Sequence, residues 1–149
     1  MTAAIVIRQL RPRERADWEP LWRDYLEFYQ TSVPNEVYDT TWARLHDPAE
    51  PMWLLGATVD GKLRGIVHYI YQRSCWTVRD YCYLQDLFVA REARKLGIGR
   101  ALIEAVYREA RAAGASRVHW LTHETNATAR ALYDTLADRP GFIQYRKLF

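Results

Sequence analysis

Apolar residues recur along this chain at two spacings, and the switches between them mark its elements. Residues 4–10, AIVIRQL, read as a first strand. Across 13–31, Trp18, Leu21, Trp22, Tyr25, Leu26 and Tyr29 fall at steps of three and four, one face of an amphipathic helix. Pro34 then precedes a shorter helix over about 35–46, with Val37, Tyr38, Trp42 and Leu45 inward. Residues 52–72 hold two strand-like runs around Asp60-Gly61, a dipeptide that favours a type I′ hairpin turn. A further strand covers 81–90, and three consecutive antiparallel strands are expected here. A helix follows over about 98–113, with Ile98, Leu102, Ala105, Val106 and Ala113 on one stripe and Gly114 placed to end it. A strand at 116–122, a helix at 126–137 and a last strand in GFIQYRKLF complete the series. The predicted order is β-α-α-β-β-β-α-β-α-β, an α+β mixed sheet with helices on both faces.

Composition narrows the picture only a little. The 149 residues form one expected domain, 1–149, long enough to bury a core, and 49% hydrophobic with 26% charged is ordinary for a globular chain. All but Lys62, Lys95 and Lys147 of the 21 basic residues are arginine, which suits anion contacts and equally suits genomic bias. A net charge of +3 is too small to point to nucleic acid. Cys75 and Cys82 have no companion ligands at metal spacing, so neither a structural disulfide nor a metal site is expected. The N-terminal apolar run is short for a signal peptide, and no apolar run reaches 18 residues, so the expectation is a cytoplasmic protein without a membrane span.

The chemistry concentrates in EARKLGIGRAL, residues 92–102, where a basic turn with two glycines runs straight into a helix. The free N–H groups of a helix's first turn converge on one spot, and the helix dipole adds positive character there. Gly97 and Gly99 clear side chains from that approach, and Arg94, Lys95 and Arg100 add charge. A phosphate is the natural occupant; a turn that merely needs positive φ is the plainer alternative. The spacing is not that of a P-loop, and it lacks the GxGxxG of a dinucleotide fold.

What RKLGIG does match is [RQ]xxGx[GA] after a strand, and here the chain resembles the Gcn5-related N-acetyltransferase (GNAT) superfamily, in which this turn wraps the pyrophosphate of coenzyme A. Two further stretches carry the resemblance: NATARALY, with Asn126 seven residues before Tyr133, and the strand ending LQDLFVA. LWRDYLEFY, DYCYLQDLFV and GFIQY narrow it to the Hpa-type branch, whose members act on histone tails, polyamines and D-amino acids. The resemblance implies acetyl-CoA as cosubstrate, held by Leu87, Phe88, Val89, Arg94, Lys95, Leu96, Gly97, Ile98, Gly99, Arg100, Asn126, Ala129, Arg130 and Tyr133. It implies a splay between the strand at 81–90 and that at 117–123 that admits the pantetheine arm. It also implies a homodimer, and the longer LADRPGFI segment would let the last strand reach a partner subunit.

By the same resemblance the reaction is direct attack of an amine on the thioester. Val89 N–H would be the oxyanion donor and Tyr133 the acid that protonates the leaving thiolate. Gln85 stands where polyamine-acetylating relatives carry Glu, so the base is open among Asp86, Asp80, Tyr83, His123 and Glu124. Strand alternation puts Tyr83, Gln85 and Leu87 on one face and turns Asp86 away, into an expected structural role. Neutralising a lysine-like amine at pH 7 costs roughly 4.6 kcal/mol, against about 1.4 for an α-amine, so a chain with Gln at this position should favour α-amines. Glu27, Tyr29, Glu36, Asp39 and Asp80 could recognise such a cation, or simply be solvated. An acyl-CoA sensor without transferase activity is the alternative from another class; intact Asn126 and Tyr133 count against it. A nucleic-acid patch of Arg91, Arg94, Lys95 and Arg100 is disfavoured, since no recognition motif accompanies it.

Overall fold

The computed structural model describes residues 4–149; the first three residues of the expected domain lie outside the described residues. β1 (Ile5–Gln9) leads through a 3-10 turn (Pro12–Glu14) into α1 (Arg15–Phe28) and α2 (Asn35–Leu45). β2 (Met52–Val59), β3 (Lys62–Gln72) and β4 (Tyr81–Val89) follow. A second 3-10 turn (Arg91–Ala93) precedes α3 (Ile98–Ala112), β5 (Arg117–His119) and α4 (Ala127–Tyr133).

The strands lie in the order β1-β2-β3-β4-β5, antiparallel through β4, with β5 parallel to β4. The hairpin between β2 and β3 turns at Asp60 (φ 52°) and Gly61 (φ 76°), and the two successive positive φ values are those of a type I′ turn. One face of the sheet packs α3, with Ile98, Leu102, Ile103 and Val106 against Leu55, Val67, Tyr69 and Leu84. Leu132 and Tyr133 of α4 join that side. The other face packs α1 and α2, with Trp18, Leu21, Trp22, Tyr38 and Trp42 against Leu54, Ile66 and Phe88. Two sheet faces each covered by an amphipathic helix layer are the α+β arrangement that the apolar spacing predicts.

Gly65 sets how closely α3 seats: a Cβ there would meet Ile98 Cγ2 at 2.8 Å and Leu102 Cδ1 at 3.1 Å. α3 ends as a Schellman motif, with Gly114 N–H bonded to the Arg111 carbonyl and Ala115 N–H to that of Ala110. α1 ends the same way, Gln30 N–H to Glu27 and Thr31 N–H to Leu26, but with a side chain at φ 56°.

Several expectations are corrected. The last strand in GFIQYRKLF does not form, and residues 138–149 run without secondary structure, with Phe142, Ile143, Tyr145, Leu148 and Phe149 exposed. A strand needs a neighbouring edge for its backbone groups, and β5, only three residues long, offers too short an edge for nine residues. The helix of 126–137 stops at Tyr133 and continues as turns, and the strand of 116–122 shrinks to Arg117–His119 as it leaves β4. Val37 and Ala113, expected inward, are exposed.

Candidate active site

The glycine turn is a distorted entry to α3. Lys95 (φ 69°) and Gly97 (φ 85°) both take left-handed backbone, and no side chain caps the helix. Its first internal bond runs from Ala101 N–H to the Gly97 carbonyl at 3.0 Å. The N–H groups of Ile98, Gly99 and Arg100 therefore open outward at the positive end of a 15-residue helix. The Ile98 side chain points the other way, into the core, while Leu96 is exposed. Open space lies where a Gly97 side chain would be, and a Cβ on Gly99 would only graze Leu132 at 3.5 Å. The cations are held apart. Arg94 Nε donates to the Val89 carbonyl at 3.3 Å with its guanidinium over the Phe88 ring, and Arg100 Nη2 donates to Thr135 Oγ1 at 2.8 Å. Exposed Lys95 stands at the turn's outer edge.

Beside this turn the sheet opens. β5 pairs with β4 only at Tyr81, Cys82 and Tyr83, after which the strands part and the edge of β4 from residue 84 onward is uncovered. Ala90 N–H bonds the Arg64 carbonyl of β3 at 2.8 Å. Bonding alternates along an antiparallel pair, so Phe88 also turns its backbone to β3, whereas Leu87 and Val89 present theirs to the open edge. Across the gap, His119 Nδ1 and Thr122 Oγ1 are buried without a hydrogen-bond partner. Tyr133, the last residue of α4, is half-buried and edge-on to Trp120 with ring centroids 5.4 Å apart. Burial, and secondarily Tyr29 nearby, raise its hydroxyl pKa, so it keeps its proton through neutral pH. Asn126 caps α4, its Oδ1 accepting from Ala129 N–H at 3.4 Å, and Arg130 Nη1 donates to the Glu124 carbonyl.

A bulge in β4 overturns the expected facing of its side chains. His68 pairs with Asp86 but Tyr69 pairs with Leu84, leaving Gln85 as an extra residue. After that insertion the alternation restarts: Cys82, Leu84 and Leu87 face α3, while Tyr83, Asp86 and Phe88 come to the α1 side. Asp86 is thus not turned away from Tyr83, and Gln85 is exposed. Asp86 sits 3.0 Å from His68 Nδ1, and His68 Nε2 lies 3.0 Å from Trp18 Nε1. Tyr25, Tyr29 and Tyr83 surround the carboxylate, and each has its pKa raised by burial first and by the charge of Asp86 second. His123 joins from the far side, its ring 5.3 Å from that of Tyr29.

The open β4 edge, the glycine turn and α4 adjoin one another: Arg94 of the turn reaches the Val89 carbonyl, and Arg100 of α3 reaches Thr135 just beyond α4. The family model described as "Acetyltransferase (GNAT) family" matches residues 18–137. The chain belongs to the GNAT acetyltransferase family. It is thereby an N-acetyltransferase by class. It is 36% identical over 145 residues to the D-amino-acid N-acetyltransferase HPA3 of Saccharomyces cerevisiae, covering 96% of this chain and 90% of that one. The ribosomal-protein-alanine N-acetyltransferase of Brucella melitensis superposes with a TM-score of 0.83 at 25% identity, over 98% of this chain and 99% of that one. The aminoglycoside N-acetyltransferase AAC(6')-Iy in complex with CoA shares the fold at 19% identity, with a TM-score of 0.82 over 99% and 97% of the two chains.

Within this GNAT frame, Leu87 and Val89 lie on β4 beyond its pairing with β5, Gly97 and Gly99 at the start of α3, and Asn126 and Tyr133 at the two ends of α4, while the side chains of Ile98 and Phe88 belong to the core. Sequence reasoning missed His68, Trp18, His119 and Thr122. One signal for His68 was available, a lone polar residue in the apolar run GIVHYIY. His119 carried none, because its stacking on Tyr83 at 5.1 Å depends on which residues of β5 stay paired.

Proposed function

We propose that this GNAT protein transfers an acetyl group from acetyl-CoA to a primary amine, by direct attack of the amine in the β4–β5 cleft. The observation that carries the reading is the open edge of β4, which leaves Val89 N–H without a strand partner, together with the half-buried, protonated Tyr133 at the end of α4. The cleft suits an amide-bearing arm that ends in a pyrophosphate. His119 Nδ1 on β5 and Thr122 Oγ1 just beyond it are buried without partners, and the N–H groups of Ile98, Gly99 and Arg100 that open α3 are uncapped. Acetyl-CoA supplies the acyl group as an activated thioester. Leu87 and Val89 would bond its pantetheine arm, and Gly97, Gly99, Arg94, Lys95 and Arg100 its phosphates. Val89 N–H would stabilise charge growing on the carbonyl oxygen, an effect typically worth about 3 kcal/mol. Tyr133, still protonated, would hand its proton to the departing sulfur. His123, exposed beside Tyr29, would relay the amine's proton to solvent.

The kinship with a D-amino-acid N-acetyltransferase makes α-amines of amino acids the first acceptors to test, ahead of polyamines and protein lysines. Gln85, uncharged and exposed, agrees with that order. A homodimer in the cytoplasm completes the proposal, with the exposed apolar side chains of residues 142–149 as its contact surface. The deciding experiment measures free-thiol release from acetyl-CoA with L- and D-amino acids, polyamines and lysine peptides. Amine-dependent release that falls at least about tenfold in Tyr133→Phe supports the transferase. Tight acetyl-CoA binding with no release for any amine would favour a sensor instead.

A further inference from the structure

Resting on the transferase reading, we propose that Asp86 is the seat of the acceptor's ammonium group and that His68, fixed by Trp18, is the positioning residue that aims it. The chain of contacts has a defined direction. An indole nitrogen is a donor only, so Trp18 Nε1–H donates to His68 Nε2 at 3.0 Å. The ring proton of His68 therefore resides on Nδ1 and is donated to Asp86 Oδ2 at 3.0 Å. A histidine at 3% exposure, held from both ends, has one tautomer and one orientation. It engages Oδ2 of Asp86, and Tyr25 also bonds the carboxylate, which still leaves acceptor capacity for a further donor.

What surrounds Asp86 decides its ligand. Its side chain is 12% exposed, and among the described residues no lysine or arginine lies within ion-pairing distance of it. The groups facing it are Tyr25 of α1, Tyr29 at the end of that helix, Tyr83 of β4 and His68 of β3, with the Trp22 ring tilted against that of His68, centroids 5.0 Å apart. A buried carboxylate without a cation is costly, and an aromatic wall attracts cations through its ring faces. A primary ammonium answers both. The three tyrosine hydroxyls keep their protons, so they add no competing negative charge. The seat selects a compact cation at the amine end of the acceptor, whatever its other end carries.

The test pairs kinetics with a spectrum. Acceptor and acetyl-CoA KM values are measured by free-thiol release with D-alanine and spermidine for the parent, Asp86→Asn, His68→Leu and His68→Asn. Asparagine places an amide N–H near the position of Nδ1 and can still donate to Asp86. The expected result is an acceptor KM raised at least about tenfold in Asp86→Asn and His68→Leu, equivalent to about 1.4 kcal/mol, with the acetyl-CoA KM little changed. His68→Asn is expected to recover most of the acceptor affinity, which a purely structural role for His68 would not give. An unchanged acceptor KM, or equal rises in both KM values, overturns the proposal. Should no amine release thiol from the parent, the transferase reading fails and the imidazole 15N spectrum decides this one separately. A His68 Nδ1–H resonance that shifts with spermidine or D-alanine, and stays still in Asp86→Asn, supports the seat. A resonance indifferent to both amines overturns it. The same spectrum checks that each variant is folded.

Discussion

Tyr133, Asp86 and Glu14 each owe their behaviour to what encloses them. Tyr133 holds its proton because burial disfavours the phenolate. Its ionisation should therefore not produce the alkaline limb of a pH–rate profile below pH 10; a limb that vanishes in Tyr133→Phe would contradict this. Glu14 moves the other way. Hydrogen bonds from Arg8, at 2.7 and 2.9 Å, and then from the Arg11 N–H lower its pKa from 4.5 to about 2. A depressed carboxylate contributes stability that is complete above its unfolded pKa and lost as pH falls through the folded value. Urea unfolding should show Glu14→Gln less stable than the parent by about 1 kcal/mol at pH 7. That gap should close between pH 4.5 and about 2. A gap that persists at pH 2 would mean the side chain acts through packing instead.

The elements turn on a few backbone positions. Gln30 terminates α1 at φ 56° with no glycine to accept that conformation. Gln30→Gly should stabilise the fold by about 1 kcal/mol, read as a higher urea midpoint at unchanged slope. Gly97 takes φ 85° with open space beside it. Gly97→Ala should cost a similar amount and also weaken acetyl-CoA binding in a calorimetric titration, since it disturbs the N–H groups that open α3. Equal affinity in that variant would remove the turn from the cofactor site. The hairpin at Asp60-Gly61, the apolar face of α3 and its Gly114 stop were all legible in the sequence, because each is set by neighbours within a few residues. The bulge at Gln85 was not. LQD reads as ordinary alternation, and only pairing with His68 and Tyr69 on β3 shows the extra residue.

At the scale of the whole molecule, Phe142, Ile143, Tyr145, Leu148 and Phe149 are an exposed apolar cluster that no other described residue covers. Removing residues 141–149 should convert a dimer to a monomer in light scattering while leaving the near-ultraviolet spectrum folded. A parent protein already monomeric at high concentration would refute the dimer. The sequence by itself determined most of the elements, the mixed sheet between two helix layers, and the glycine turn that opens α3, because spacing, turn chemistry and helix termination are local. Tertiary structure alone decided that the β4–β5 edge stays open, that the closing strand finds no partner, and that Asp86 faces the tyrosines beside His68. Those outcomes depend on which strand edges are paired, a property of segments far apart in the chain.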